Sequence, residues 1–125
     1  MLCGLLTGFY IAAAMGQRIH VDLHAAVAAH LNAMLGSFWM FAVAWSLPML
    51  SYGEGGRRRL AVTLGAACYG NWFITALKAA LHVSGVDASA DPVNNAVFGA
   101  LTLLVVLPSV AAGGAWILGF RRARA

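Results

Sequence analysis

Four long apolar runs, separated by three short polar stretches, dominate the pattern of this 125-residue chain. The runs cover about residues 1–15, 23–47, 60–82 and 93–120, and polar or charged residues gather at Gln17–His24, Ser51–Arg59, Ser84–Pro92 and after Phe120. A membrane-crossing helix needs about 20 mostly apolar residues, so the chain can supply four crossings and little else. The first run is short, which fits either a start assigned a turn or two late or a tilted helix covered by its neighbours. Asp22 is placed to cap the second helix and Pro48 to mark its end, while Pro108 predicts a kink in the fourth. The pattern therefore predicts an all-α protein, an integral membrane four-helix bundle, as a single membrane domain over residues 1–125.

Composition agrees. The chain is 62% hydrophobic and 10% charged, with mean hydropathy +0.80, against about 25% charged residues in a soluble domain. The net charge of +4 and pI near 9.7 do not imply nucleic acid. Six of the eight basic residues sit in two clusters flanking apolar runs, Arg57-Arg58-Arg59 and Arg121-Arg122 with Arg124. Four crossings place both clusters on one side, opposite Arg18, Asp22, Asp87 and Asp91. The positive-inside rule then puts both termini in the cytoplasm of a bacterial-type inner membrane. Cys3 and Cys68 lie in apolar runs and form neither a disulfide framework nor a zinc spacing. The opening Met1-Leu2-Cys3 lacks the basic segment of a secretory signal, so no cleavage is expected.

The candidate chemistry lies inside the apolar runs. His30 interrupts an otherwise uncharged stretch from Ala25 to Gly53, at a depth where an ionisable side chain needs a partner. With about 1.5 Å of rise per residue, His30, Asn32, Asn71, Thr75 and Thr102 all fall in one layer of the outer half of the membrane. That layer predicts a polar pocket with apolar walls. Each residue also has a plainer reading. His30 can bond a backbone carbonyl of a neighbouring helix, Asn32 and Asn71 can tie helices together, and Thr75 and Thr102 can bond back to their own helices. Lys78 is expected to snorkel toward Asp87 or Asp91. Trp39, Trp45, Trp72 and Trp116 are packing or interface anchors, and His20, His24 and His82 sit at the outer water boundary.

Stoichiometry narrows what His30 can hold. A haem carrying electrons between two imidazoles needs a second interior histidine. One histidine leaves the sixth position of an iron open, which favours binding chemistry. A proton-coupled exporter needs an intramembrane carboxylate, and no run carries one. Gly4-Leu5-Leu6-Thr7-Gly8 and the small residues Ala111–Ala115 permit close helix approach, within one bundle or between copies.

These segments resemble the small membrane isomerases that include hydroxylaminobenzene mutase and styrene oxide isomerase. The resemblance runs over nearly the whole chain. It is carried by Gly4-Leu5-Leu6-Thr7-Gly8-Phe9, by Ala29-His30-Leu31 with the run Ala42 to Pro48, and by Tyr69-Gly70-Asn71-Trp72. The first and last of these lean toward the mutase branch. The resemblance implies a trimer with haem b at the boundary between protomers, His30 as axial ligand and the iron acting as a Lewis acid. Two positions depart from it. Gly36 stands where an asparagine is expected two turns after the histidine, and Thr75 where the epoxide branch has tyrosine; Asn32, one turn before Gly36, is placed to substitute.

Two hypotheses follow. In the first, the protein rearranges a small apolar aromatic substrate drawn from the lipid bilayer, arylhydroxylamine to aminophenol or epoxide to aldehyde, as a step in aromatic compound degradation. His30 holds the iron, Asn71, Asn32 and Thr75 form the catalytic group, and Phe38, Tyr69, Trp72 and Thr102 line the substrate pocket. In the second, the chain is a haem carrier or structural subunit without turnover.

Overall fold

The computed structural model describes the backbone of residues 1–122 and the side chains of residues 1–120. The basic tail therefore lies largely outside the described residues. Helix α1 spans Leu2–Met15, α2 Leu23–Ser46, α3 Glu54–Leu81, α4 Pro92–Leu101 and α5 Leu107–Arg122. A π-helical turn, Thr102–Val106, joins α4 and α5 into one rod, so the chain forms four rods and no strand among the described residues. Three rods, Leu23–Met49, Glu54–Leu81 and Pro92–Phe120, are long and apolar enough to cross a membrane. With 14 residues, α1 is shorter.

Local chemistry sets the ends. Asp22 Oδ1 accepts from the Ala25 N–H at 3.1 Å, and Asp91 Oδ1 from the Val93 N–H at 2.9 Å, each satisfying a donor that the first helical turn leaves open. After α2, Leu47–Met49 tighten into a 3-10 turn around Pro48. Helix α3 starts six residues earlier than its apolar run, at Glu54, whose charge suits a helix N-terminus. The arginine triplet is thus helical, and Arg57 Nη2 donates to the carbonyls of Leu50 (2.9 Å) and Pro48 (3.2 Å). Pro108 has no N–H and crowds the turn before it. The helix answers with the π turn, in which the Leu107 N–H reaches the Thr102 carbonyl five residues back. The expected kink is a widened turn ahead of the proline.

Helices α2 and α3 form the central pair. Helix α1 packs on α2, and the fourth rod packs on α3. The arginine-bearing end is sealed by Val43, Leu50, Leu60, Leu64, Cys68 and Ala112, with Trp39, Trp116 and Phe120 against them. At the other end the contacts are small, Ala25, Ala26 and Ala79 beneath Tyr10 and Ile11. Two indole N–H groups tie rods together, Trp116 to Ser46 Oγ and Trp72 to Thr7 Oγ1, both at 2.8 Å. Lys78 bonds the Ser84 carbonyl at 2.8 Å instead of reaching Asp87 or Asp91. Phe9, Phe41, Trp45 and Val110 stand outward and exposed, as expected of a surface in contact with hydrocarbon.

Candidate functional site

Helix α2 has two chemically different faces. Successive residues turn by about 100°, so His30 and Asn32 are about 200° apart around its axis. His30 faces α1. Its Nδ1 lies 2.8 Å from the Gly4 carbonyl oxygen, and a methyl built on Gly8 would sit 3.8 Å from its Cε1. The small residues of the first helix therefore make room for the imidazole. Since a carbonyl only accepts, Nδ1 carries a proton, which in the neutral ring leaves the lone pair on Nε2. Among the described residues Nε2 has no hydrogen-bond partner, and the ring is half-buried.

Asn32 faces α3. Its Nδ2 donates to Asn71 Oδ1 and to Thr75 Oγ1, both at 3.1 Å, and the Thr75 hydroxyl donates to Asn71 Oδ1 at 3.3 Å. Asn71 and Thr75 are one turn apart on α3, which stacks them on one face. Asn32 and Asn71 also line a cavity of about 360 Å³ between α2, α3 and α5, with Leu35, Gly36, Trp39, Ala67, Cys68 and Ser109. That volume lies within the usual range for small-ligand sites, and the lining has their character, apolar walls with a few polar groups.

Of the five residues expected in one polar layer, three converge: Asn32, Asn71 and Thr75. His30 is turned to the opposite side of α2. Thr102 bonds the Phe98 carbonyl of its own helix at 2.9 Å. Among the residues expected to hold the aromatic ring, Phe38 and Tyr69 are exposed, and Trp72 donates to Thr7. Tyr69 and Trp72 flank a small crevice of about 10 Å³ beside Cys68, and Trp72 also lines a groove of about 300 Å³ with Leu6, Thr7, Tyr10 and Ala76. The cavity wall is made by Leu35, Trp39, Ala67 and Ser109. The helical spacing Asn32, Leu35, Gly36, Trp39 is the signal that finds that face, and Ser109 stands out as a hydroxyl in mid-run.

The donor set bears on what metal chemistry fits. Among the described residues no group of three or more His, Cys, Asp or Glu is placed to hold a metal ion. An imidazole with Nδ1–H tied to a carbonyl and Nε2 open would suit a metal ligand, since that carbonyl fixes the tautomer and raises ligand basicity. It fits a metal that brings its other ligands in a macrocycle. His30 does not line the cavity that Asn32 and Asn71 share.

A family model described as styrene oxide isomerase matches residues 1–121. The chain belongs to the styrene oxide isomerase family. Membership implies an isomerase and agrees with the apolar rods of a membrane protein. Comparison with curated proteins and with solved structures returned no match. A Cβ at Gly36 would lie 3.2 Å from Cys68 Cβ and 3.4 Å from its Sγ, so α2 and α3 pack closely there and a larger residue needs Cys68 to give by a few tenths of an ångström.

Proposed function

We propose that this isomerase rearranges a small apolar arylhydroxylamine to an aminophenol inside the membrane, with haem b held through His30. The carrying observation is the Asn32–Asn71 amide pair on the wall of an otherwise mostly apolar cavity. Such substrates partition into lipid and can enter a groove between rods without crossing water. In that setting the amides fix the head group while Leu35, Trp39 and Ala67 surround the ring and exclude water, which protects a cationic intermediate from hydrolysis. A ferric haem bound by His30 supplies Lewis acidity toward the substrate oxygen.

The opposed faces of α2 support an oligomer. His30 and the amide cavity of one chain point apart, so one copy does not assemble both halves of a site. A closed ring sets the His30 face of one copy toward the cavity face of the next, with a single kind of head-to-tail contact. The trimer implied by the resemblance is such a ring.

Thr75 favours the hydroxylamine over the epoxide. Its hydroxyl is buried at 5% exposure and spent on the two asparagines, so it offers no free proton donor for opening an epoxide. The epoxide-to-aldehyde reaction remains the second reading because the family is described by it.

Purification in detergent, a visible spectrum and turnover of phenylhydroxylamine and styrene oxide test the proposal. A Soret band is expected in the native protein and lost in His30→Ala, with aminophenol formed faster than aldehyde. A band unchanged in His30→Ala, or none after haem supplementation, overturns the haem assignment. Faster turnover of styrene oxide overturns the substrate assignment.

A further inference from the structure

A second opening lies between α3 and α5, toward the arginine-bearing end, and shares no lining residue with the amide cavity. It is a groove of about 350 Å³, with Gly56, Leu60, Ala111, Ala112 and Ala115 among its walls. Tyr52 braces the two helices there. It packs on Gly56, where a Cβ would lie 3.0 Å from Tyr52 Cβ, and its hydroxyl donates to the Ala115 carbonyl at 2.7 Å. Small side chains beside that brace leave the space unfilled.

Arg59 lines the same groove. Its neighbours in the triplet do other things. Arg57 is held on the Leu50 and Pro48 carbonyls, whereas Arg58 and Arg59 are exposed and have no hydrogen-bond partner among the described residues. Of these two, only Arg59 borders the groove. It is the last charged residue before the apolar run that starts at Leu60, so it marks the level at which headgroups meet hydrocarbon. On α5, Ala111 lies one turn from Ala115 on the side away from the basic end, which carries the groove about 6 Å inward.

A groove open to the bilayer does not stay empty. Water is excluded at hydrocarbon depth and an unfilled wall forfeits dispersion contacts, so a lipid chain is its natural filling. The chain alone brings little selectivity, because it leaves one apolar setting for another. Selection has to come from charge at the headgroup level. We propose that the α3–α5 groove binds one anionic phospholipid, with its chain along Leu60 and the alanines and its phosphate paired with Arg59. A guanidinium suits that role because it can give a phosphate two parallel N–H donors. Glu54, the nearest carboxylate in sequence, lies five residues back and about 140° around α3, so it does not compete for Arg59. A lipid seated there spans the joint between α3 and the fourth rod.

Native mass spectrometry of the full chain in neutral detergent tests this, with dioleoylphosphatidylglycerol and dioleoylphosphatidylcholine added as probes. One phosphatidylglycerol per chain is expected, bound about 5-fold tighter than phosphatidylcholine. Arg59→Gln should remove that preference. Arg58→Gln makes the same change in net charge one residue away, and should weaken phosphatidylglycerol by less than about 2-fold. Ala111→Leu narrows the groove from an exposed position without touching charge, and should weaken both lipids. Equal losses in Arg58→Gln and Arg59→Gln, with none in Ala111→Leu, would assign the attraction to the general field of the triplet and overturn the site. Equal binding of the two lipids to the native chain would overturn the headgroup assignment. A lipid-free oligomer that Ala111→Leu dissociates would show that a second copy fills the groove instead.

Discussion

Thr75→Val isolates the network that defines the cavity. Valine keeps the shape of threonine and removes only the hydroxyl, which accepts from Asn32 Nδ2 at 3.1 Å and donates to Asn71 Oδ1 at 3.3 Å. At 5% exposure the site has no water to replace those bonds. Interhelical bonds in membranes average about 0.6 kcal/mol, with a maximum near 1.7. Losing two should cost about 1.2 kcal/mol. Asn32→Ala removes the same contact with Thr75 from the other side, together with its bond to Asn71. The double variant should therefore lose less than the sum of the singles by about 0.6 kcal/mol, the share of the single bond they have in common. Reversible unfolding in mixed micelles, followed by tryptophan fluorescence, gives all four corners of the cycle. Strict additivity, within about 0.3 kcal/mol, would mean the Asn32–Thr75 bond does not exist in the folded protein.

Three glycine substitutions separate the His30 face from the loop that closes α3 to α4. A Cβ at Gly4 would stand 2.7 Å from Met34 Sδ and 3.4 Å from Ala33 Cβ. Gly4→Leu should therefore push α1 off α2, carry the Gly4 carbonyl away from His30 Nδ1 and cost about 1–3 kcal/mol. Haem retained per protein, read from Soret absorbance after gel filtration, should fall in Gly4→Leu and hold in Gly8→Ala, where the new methyl makes only a 3.8 Å contact. Gly85 has φ +62°, and a Cβ there would come 2.6 Å from Val97 Cγ1. Gly85→Ala should cost about 1–3 kcal/mol and lower Tm by several degrees without altering the cavity; an unchanged Tm would show that the loop conformation is not needed for stability.

Much of the fold was readable from hydropathy because a bilayer allows few solutions. Span lengths, the Asp22 cap and the end of α2 near Pro48 follow from local rules about open N–H groups and missing donors. Depth was readable too, since helical rise is constant. Azimuth was the harder quantity. His30 and Asn32 share a depth but lie about 200° apart around α2, so a common layer did not make a common pocket. The spacing of Asn32, Leu35, Gly36 and Trp39 was present all along, yet it gains meaning only once the opposing face of α3 is known. Tyr69 and Trp72, expected to line the ring pocket, do not line the Asn32–Asn71 cavity; Trp72 faces the groove beside Thr7 and Tyr10 instead.

The two departures from the family pattern are linked through one contact. Gly36 lets α2 approach α3 at Cys68, with only 3.2 Å between that thiol's Cβ and the position a side chain would occupy. A larger residue at 36 would need Cys68 to give by a few tenths of an ångström. One turn along the same face, Asn32 meets Asn71 across the interface. A tyrosine at 75 would in turn bring a ring against Asn32 where only a small β-branched side chain now sits, buried at 5% exposure. Close helix packing at Gly36, an amide at 32 and a small hydroxyl at 75 are therefore one mutually consistent solution. A larger side chain at 36 meets Cys68 first, and one at 75 meets Asn32.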